Sequence, residues 1–418
     1  MLILSSEAER VVLVHVDFST TDPTDNLAEF VTLANSSGVI PISVITGACR
    51  HPNAKYFVGH GKVLEIQQAI AAYAVDCVIF NHPLSSSQQR NLEQALGIRV
   101  LNRTELILDI FAQRARTYEA KLQVELAQLQ HLSTRLVRGW AHLGRQKGGI
   151  GLRGPGEMQL ETDRRLLCQR ITVIKKRLQK VRQQRQQGRQ RRKRQSVPVV
   201  ALVGYTNAGK STLFNLLTDA KAYVADKLFA TLDPTLRRLP IAALGDVILV
   251  DTVGFIRHLP HDLINVFRVT LEEITAADLL LHVIDASDPH MTDTISAVDS
   301  VLHEINAHQI MQLKVYNKID RLPGVSAHAA SDAIWISATN QQGGDSVCQA
   351  IKLALQQRYV TTIIKLLPQQ ASIRAHLYDL HGVQQEIFTD SGYWQLQVRL
   401  PLIEYQRLQL SAYEFVYA

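Results

Sequence analysis

The sequence predicts an α/β protein. A domain with a doubly wound sheet is joined to an N-terminal α/β domain, a long antiparallel helical hairpin and a small C-terminal α/β unit. Three observations predict it. Strand-like apolar runs alternate with helical patterns over 11–101 and again over 199–357, as in mostly parallel sheets. Between these regions, apolar residues recur every three or four positions along two long stretches, the spacing of helices that pack on each other. One strand-like run, Val199 to Val203, opens directly into a glycine-rich loop and a helical pattern from Thr212 to Leu217.

That loop is Gly204-Tyr205-Thr206-Asn207-Ala208-Gly209-Lys210-Ser211, the phosphate-binding pattern G-x-x-x-x-G-K-S. Its glycines let backbone N–H groups close around a polyphosphate at a helix N-terminus, where the helix dipole also favours negative charge. Lys210 is placed to reach the terminal phosphates, and the Ser211 hydroxyl to coordinate Mg²⁺.

Four more motifs follow in the order a P-loop GTPase domain requires. Phe229-Ala230-Thr231-Leu232-Asp233 lies in a loop after the first helix. Thr231 can offer its hydroxyl to Mg²⁺ and its N–H to a γ-phosphate. Asp251-Thr252-Val253-Gly254 ends the strand through Val247 to Val250. Asp251 is placed to hold the Mg²⁺ shell through water, and the Gly254 N–H to contact the γ-phosphate. Lys210, Thr231 and Gly254 are therefore the candidate catalytic groups, and Ser211 and Thr231 the metal ligands. The two loops form a switch pair, ordered by GTP and released on hydrolysis.

Asn317-Lys318-Ile319-Asp320 ends the strand through Val315 and Tyr316, and its Asp320 can accept from the guanine N1–H and 2-amino group. Adenine offers neither donor there, so its binding leaves a carboxylate unpaired. Asn317 can brace the base and the phosphate loop, and Lys318 can lay its stem over the ring. Ser337-Ala338-Thr339 follows a further strand, with the Ala338 N–H available to the guanine O6. Thr339 stands where GTPases often carry lysine, which weakens one base contact. Phe255 stands where many GTPases place a glutamine that orients the attacking water. The expectation is slow intrinsic hydrolysis, with water positioned by backbone, a neighbouring side chain or a partner.

In the N-terminal region the expected strands are 11–16, 41–46, 77–80 and 99–101, with helices over 26–36, 63–73 and 86–96. Gly59-His60-Gly61-Lys62 lacks the full phosphate-loop spacing and reads as a tight turn. His15, His51, His60 and His82 have no metal-ligand spacing. Leu106, Ile110, Gln113 and Thr117, then Leu122 to Leu136, predict one long helix. Leu167, Ile171, Ile174, Leu178 and Val181 predict its antiparallel partner. The connection at 144–156 holds six glycines with Arg145, Lys147 and Arg153. Either it is a slack connector, or it is a probe that orders on a polyanionic surface. Helical hairpins need only a few linking residues, which favours the probe. The tail, with strands near 361–367 and 393–400 and a helix near 372–380, carries no functional signal. The expected domains are 1–103, 104–195, 196–358 and 359–418.

Composition narrows the function further. The net charge of +7 is uneven: Arg164 to Arg194 holds fourteen Lys and Arg and no acid, and the rest of the chain has 31 basic against 38 acidic residues. A solvated helix face is the plain reading. So many like charges repel one another, however, and RNA would relieve them with release of counterions. Cys49, Cys77, Cys168 and Cys348 are scattered without C-x-x-C pairing, which fits a reducing compartment. No secretory signal or bilayer-length apolar run is present, and the expected location is the cytoplasm.

The sequence resembles the HflX family of translation-associated GTPases. The resemblance lies in Arg153-Gly154-Pro155-Gly156-Glu157, Leu160 to Arg165, Gly204 to Ser211, Phe229 to Thr235, Asp251 to Ile256, and Tyr56 to Val63. It implies an N-terminal α/β domain, a helical hairpin and a G domain. It also implies binding to the large (50S) ribosomal subunit and its RNA, with the glycine-rich tip reaching toward the peptidyl-transferase region. The implied role is splitting or rescue of stalled ribosomes or help in subunit biogenesis, by a monomer. ATP binding by the N-terminal domain is implied as well. Two rival readings are a P-loop phosphotransferase acting on a small molecule and an RNA-binding protein with an inert G domain. The Asn317–Asp320 motif disfavours the first; intact Lys210, Ser211, Thr231 and Asp251 disfavour the second.

Overall fold

The structure is a computed structural model, and it describes residues 9–18, 27–139, 155–194, 197–218, 228–242, 245–256, 271–330, 333–356, 359–380, 382–389 and 391–410. The chain forms two compact units. The first comprises Met1–Lys180 with Ala225–Asp233 and Ile256–Arg268; the second comprises Val181–Val224, Pro234–Phe255 and Val269–Ala418.

The first unit begins with β1 (Arg10–Phe18), α1 (Leu27–Ser37), β2 (Ile40–Cys49), α2 (His60–Tyr73), β3 (Cys77–Phe80), α3 (Ser86–Leu96) and β4 (Arg99–Asn102). Its sheet is wholly parallel, in the order β2-β1-β3-β4. Val12, Val14, Val78, Phe80 and Val100 pack on Val63, Ile66, Leu92 and Leu96 of α2 and α3. Leu13, Ile79 and Leu101, which alternate with them, are also fully buried. Burial on both faces explains why these strands read as continuous apolar runs. Gly59-His60-Gly61-Lys62 corrects the expectation of a tight turn: Gly59 is the N-cap of α2 and the other three residues begin the helix.

The long helix expected from Thr104 is two helices. Asn102 caps α4 (Arg103–Arg114) reciprocally with Glu105. Ala115 is extended, with φ −62° and ψ 108°, and α5 (Tyr118–Gly139) starts afresh. The apolar spacing runs through this break because both helices bury apolar faces; periodicity alone does not register a three-residue interruption. Next comes α6 (Pro155–Arg194), with proline at its first position, where the missing N–H costs nothing. Leu122 packs with Ile174 and Leu178, joined by Leu126 and Leu129, while Arg170 Nε donates to Glu125 at 2.7 Å. Leu122 faces Leu178 and Glu125 faces Arg170, so α5 and α6 run antiparallel. Of the glycine-rich tip expected at 144–156, residues 144–154 lie outside the described residues, and Pro155 and Gly156 begin α6.

The second unit holds a seven-stranded sheet. Its strands are β5 (Val199–Val203), β6 (Thr235–Ile241), β7 (Gly245–Asp251), β8 (Leu279–Asp285), β9 (Gln312–Asn317), β10 (His328–Ala329) and β11 (Ala333–Trp335), in the order β10-β11-β9-β8-β5-β7-β6. The inner strands are parallel, and β6 and β10 pair antiparallel at the edges. Helix α7 (Lys210–Thr218) follows β5, α8 (Met291–Glu304) follows β8, and α9 (Gly344–Gln356) follows β11. The sheet core unites Val200, Leu202, Leu249, Leu281 and Val315 with Leu213, Phe214, Val347 and Ile351 from the helices.

The tail adds a three-stranded antiparallel sheet of β12 (Tyr359–Leu366), β13 (Val383–Phe388) and β14 (Trp394–Pro401), with α10 (Ala371–Asp379) and α11 (Leu402–Arg407). β13 was not legible in the sequence. It is an edge strand whose Gln384, Gln385, Ile387 and Phe388 are exposed, so it lacks the alternation that marks a half-buried strand.

Candidate functional site

In the second unit, the C-terminal ends of β5, β7 and β9 and the start of α7 gather most of the sequence-predicted residues. The loop Gly204–Ser211 needs backbone that side chains resist. Gly204 has φ +149°, and a Cβ there would lie 2.2 Å from the Val283 carbonyl oxygen; at Gly209, φ +92°, it would lie 2.2 Å from Asn317 Nδ2. Asn207 takes φ +63°, a conformation asparagine tolerates better than most residues. The loop therefore runs close against β8 and Asn317 into the N-terminus of α7, where unbonded helix N–H groups favour an anion.

Lys210 is 6% exposed, and its ammonium donates to the carbonyls of Gly204 at 3.1 Å and Tyr205 at 2.7 Å. Burial lowers its pKa to about 8, and Lys318 adds to the effect while Asp251 opposes it. A polyphosphate beside this ammonium would favour the charged form and raise the pKa again. His282 on β8, beside Val203, is also buried, and its pKa is pushed down to about 4 by burial and by the positive charges of Lys314 and Lys210. It stays neutral and adds no repulsion under the lysine.

Ser211 Oγ donates to Asp251 Oδ2 at 2.7 Å. A hydroxyl and a carboxylate so close form the hard-oxygen pair that suits Mg²⁺. Thr252 is buried and donates to the Leu202 carbonyl at 2.5 Å, which fixes the end of β7 against β5. Val253 is buried as well. Gly254 lies hard against the phosphate loop: a Cβ there would come 2.8 Å from Thr206 Cα and 2.9 Å from Lys210 Nζ. Phe255 continues the stitching. Its N–H donates to the Gly204 carbonyl at 3.1 Å and its own carbonyl accepts from Thr206 N at 2.8 Å. The Phe255 ring is 5% exposed, so this residue offers its backbone to the loop and not a water-orienting side chain.

Asn317 ties three motifs together. Its Nδ2 donates to the Ala208 carbonyl at 2.9 Å, and its Oδ1 accepts from Ala338 N at 3.0 Å. The bracing role expected of Asn317 is thus seen on the loop side, and the Ala338 N–H, expected at the guanine O6, here serves Asn317. Ser337 Oγ donates to Asp320 Oδ1 at 2.5 Å, which orients the carboxylate. Lys318 has φ +66°, and its ammonium meets Asp285 Oδ2 at 2.7 Å. Asp285 is a partner that no motif announces. Ile319 is buried in the short turn Ile319–Arg321, and Thr339 is exposed.

Phe229–Asp233 belongs to the first unit. Leu228, Phe229 and Leu232 are buried there, and Ala230, Thr231 and Asp233 are half-buried. The Asp233 carboxylate, expected near nucleotide, accepts from Thr117 N at 3.1 Å, from Arg116 N at 3.3 Å and from the Thr117 hydroxyl. Sequence reasoning missed these partners, because Thr117 counted only as one position in a helical stripe.

The chain matches three family descriptions in succession. These are a GTP-binding GTPase N-terminal region over 24–112, a GTP-binding GTPase middle region over 114–192, and a 50S ribosome-binding GTPase over 199–318. It is 53% identical over 406 residues to the GTPase HflX of Escherichia coli strain K12, covering 96% of this chain and 95% of that protein. It belongs to the HflX GTPase family. A second relative, the GTPase HflX of Caldanaerobacter subterraneus subsp. tengcongensis, is 45% identical and covers 93% of this chain and 90% of its own. A GTP-binding protein from Sulfolobus solfataricus, solved in complex with GDP, aligns over 83% of this chain and 99% of its own, with 24% identity and a TM-score of 0.45. As an HflX GTPase the protein binds GTP and hydrolyses it to GDP and phosphate. Among the described residues, no helix is long and apolar enough to cross a membrane.

Proposed function

We propose that this HflX GTPase docks on the large ribosomal subunit in its GTP-bound form and there splits or rescues stalled ribosomes or aids subunit biogenesis. The observation that carries the reading is the linkage of phosphate loop and base-recognition motifs through Asn317, which makes one guanine-nucleotide site of them. The family description of a 50S ribosome-binding GTPase and the fourteen basic residues of Arg164 to Arg194 support a ribosomal RNA partner. The protein works as a monomer in the cytoplasm.

In this mechanism the backbone N–H groups of Gly204–Ser211 bind the phosphates and Lys210 neutralises the terminal ones. Asp320, oriented by Ser337, selects guanine, and the Lys318 stem lies along the base. Ser211 and Thr231 would hold Mg²⁺, with Asp251 acting on it through water; the ion would neutralise phosphate charge. Gly254 and Thr231 sense the γ-phosphate through backbone N–H groups. Phe255 supplies no hydrogen bond to the attacking water, so backbone groups or the ribosome orient it, and hydrolysis by the protein alone is slow.

Sedimentation with large subunits tests this reading. Binding is expected with a GTP analogue and not with GDP. Equal binding in both states, or none in either, would sink it. The implied ATP site has one support: β1 and β3 are neighbours whose connections diverge, the place where open α/β sheets bind ligands. Retention of ATP by protein carrying Lys210→Ala tests that site separately.

A further inference from the structure

We propose that Thr117 is a positioning residue for the nucleotide reaction: through Asp233 it restrains Thr231 and ties its position to the first turn of the hairpin helix α5. The segment Leu228–Asp233 is pinned at both ends, by Ser36 and Arg114 at one and by Arg116 and Thr117 at the other. At the first end, Leu228 N donates to Ser36 Oγ at 3.0 Å, and the Leu228 carbonyl accepts from the Arg114 guanidinium. Arg114 also donates to the Ser36 carbonyl at 3.1 Å, so its place is set by α1. At the other end the Asp233 carboxylate collects Arg116 N, Thr117 N and the Thr117 hydroxyl. Thr117 is itself the N-cap of α5, its hydroxyl oxygen accepting from Ala120 N at 3.1 Å. Between the pins the Phe229 ring meets Phe111 edge-on at 4.7 Å, with Phe229 at φ +57°, which a bulky residue holds only when its surroundings enforce it.

Thr231 sits inside this clasp, two residues from each anchored side chain. With the Leu228 end, the Phe229 ring and the Asp233 carboxylate all held, a shift of Thr231 strains at least one of these contacts. Any movement of Thr231 toward a third phosphate therefore strains a pin, and the pin held by Asp233 is the cap region of α5. By reciprocity, a triphosphate loosens that first helical turn, and a loosened turn favours the triphosphate. Asp233 would thus act as a tether to the hairpin and not as a nucleotide ligand.

The proposal rests on Thr231 as the sensor of the third phosphate, and its test separates the two. Thr117→Val keeps the side-chain shape and removes the hydroxyl; Thr117→Ser restores it. With purified full-length protein, Thr117→Val should raise the ratio of GTP-analogue to GDP affinity about fivefold. Thr117→Ser should return the ratio to that of the parent, and Asp233→Asn should raise it as Thr117→Val does. In the parent protein, the amides of Thr117 and Ala120 should exchange hydrogen faster with the GTP analogue bound than with GDP. An unchanged or lowered ratio in Thr117→Val, or equal exchange in both nucleotide states, overturns the proposal. A loss of affinity for both nucleotides in Asp233→Asn also overturns it, by placing Asp233 at the nucleotide. If Thr231→Pro, which removes the N–H offered to the γ-phosphate, leaves the GTP-analogue preference intact, the sensor reading itself has failed.

Discussion

The two parallel sheets of this protein end in opposite ways. Both have strands of buried valine and leucine, and both have neighbouring strands whose connections diverge. At the end of β5, glycines and a left-handed asparagine keep side chains away, and the loop runs straight into the N-terminus of α7, which favours an anion. At the ends of β1, β3 and β4, side chains satisfy one another. His15 meets Asp17 and Asn81 at 2.9 Å each, Asn81 Oδ1 accepts from Arg103 at 2.7 Å, and Arg103 pairs with Glu29 at 2.5 Å. His82 accepts from Val16 N at 3.2 Å and stacks with Phe57 at 5.4 Å. Position at a sheet end offers a site; only unfilled polar capacity makes it a receptor. A nucleotide at the first sheet would have to break this side-chain network; at the second it would release Lys210 from the Gly204 and Tyr205 carbonyls and Ser211 from Asp251.

Four experiments break or sharpen that contrast. Lys210→Ala should lower GTP and GDP affinity on the order of 10³-fold, since two charge-assisted hydrogen bonds at about 2 kcal/mol each are lost. Isothermal titration would show it, and retained affinity would remove Lys210 from its role. Arg103→Ala should cost about 3 kcal/mol of stability in chemical denaturation, because buried Asn81 and half-buried Glu29 both lose the guanidinium. It should leave GTP affinity unchanged; a matched loss of affinity would mean that the first sheet serves the nucleotide after all. Asp320→Asn should weaken GTP on the order of 10²-fold, by losing an acceptor for two guanine donors. It should improve xanthosine triphosphate, whose 2-carbonyl can accept from the new amide.

The smallest effect is on pH. Burial holds the Lys210 pKa near 8 in the folded protein, below its ordinary 10.5. Nucleotide binding draws on the charged form, so affinity should fall up to roughly tenfold per unit as pH rises above 8. Between 8 and 10.5 the unfolded chain holds a proton on this lysine that the folded chain has lost. This group therefore makes the nucleotide-free protein more stable as pH rises through that window. Titration and melting curves from pH 7 to 10 would reveal the two opposite slopes, and parallel slopes would contradict the burial.

Much of this was legible in the sequence, for reasons that differ by region. Gly204–Ser211, Asp251–Gly254, Asn317–Asp320 and Ser337–Thr339 are contiguous words, because each is one loop between one strand and its next element. Local backbone geometry dictates their residues, so the residues betray the geometry. The inner strands of both sheets were legible because burial on two faces demands unbroken apolar runs; β10, two exposed edge residues, was not. β13 was not, since an exposed edge demands little of its side chains. The break at Ala115–Thr117 was not, since it interrupts no apolar face.

What the amino-acid sequence determined alone was the chemistry: a polyphosphate cradle, a guanine-selecting carboxylate and a basic helix. What only the tertiary structure decided was who holds whom. Asn317 braces Ala208, Asp285 takes Lys318, and Thr117 takes Asp233 across 116 positions of chain. A hydrogen bond between distant residues constrains neither neighbour's identity beyond one polar atom. Such pairs leave no periodic or contiguous trace, and only the folded backbone brings their atoms within reach.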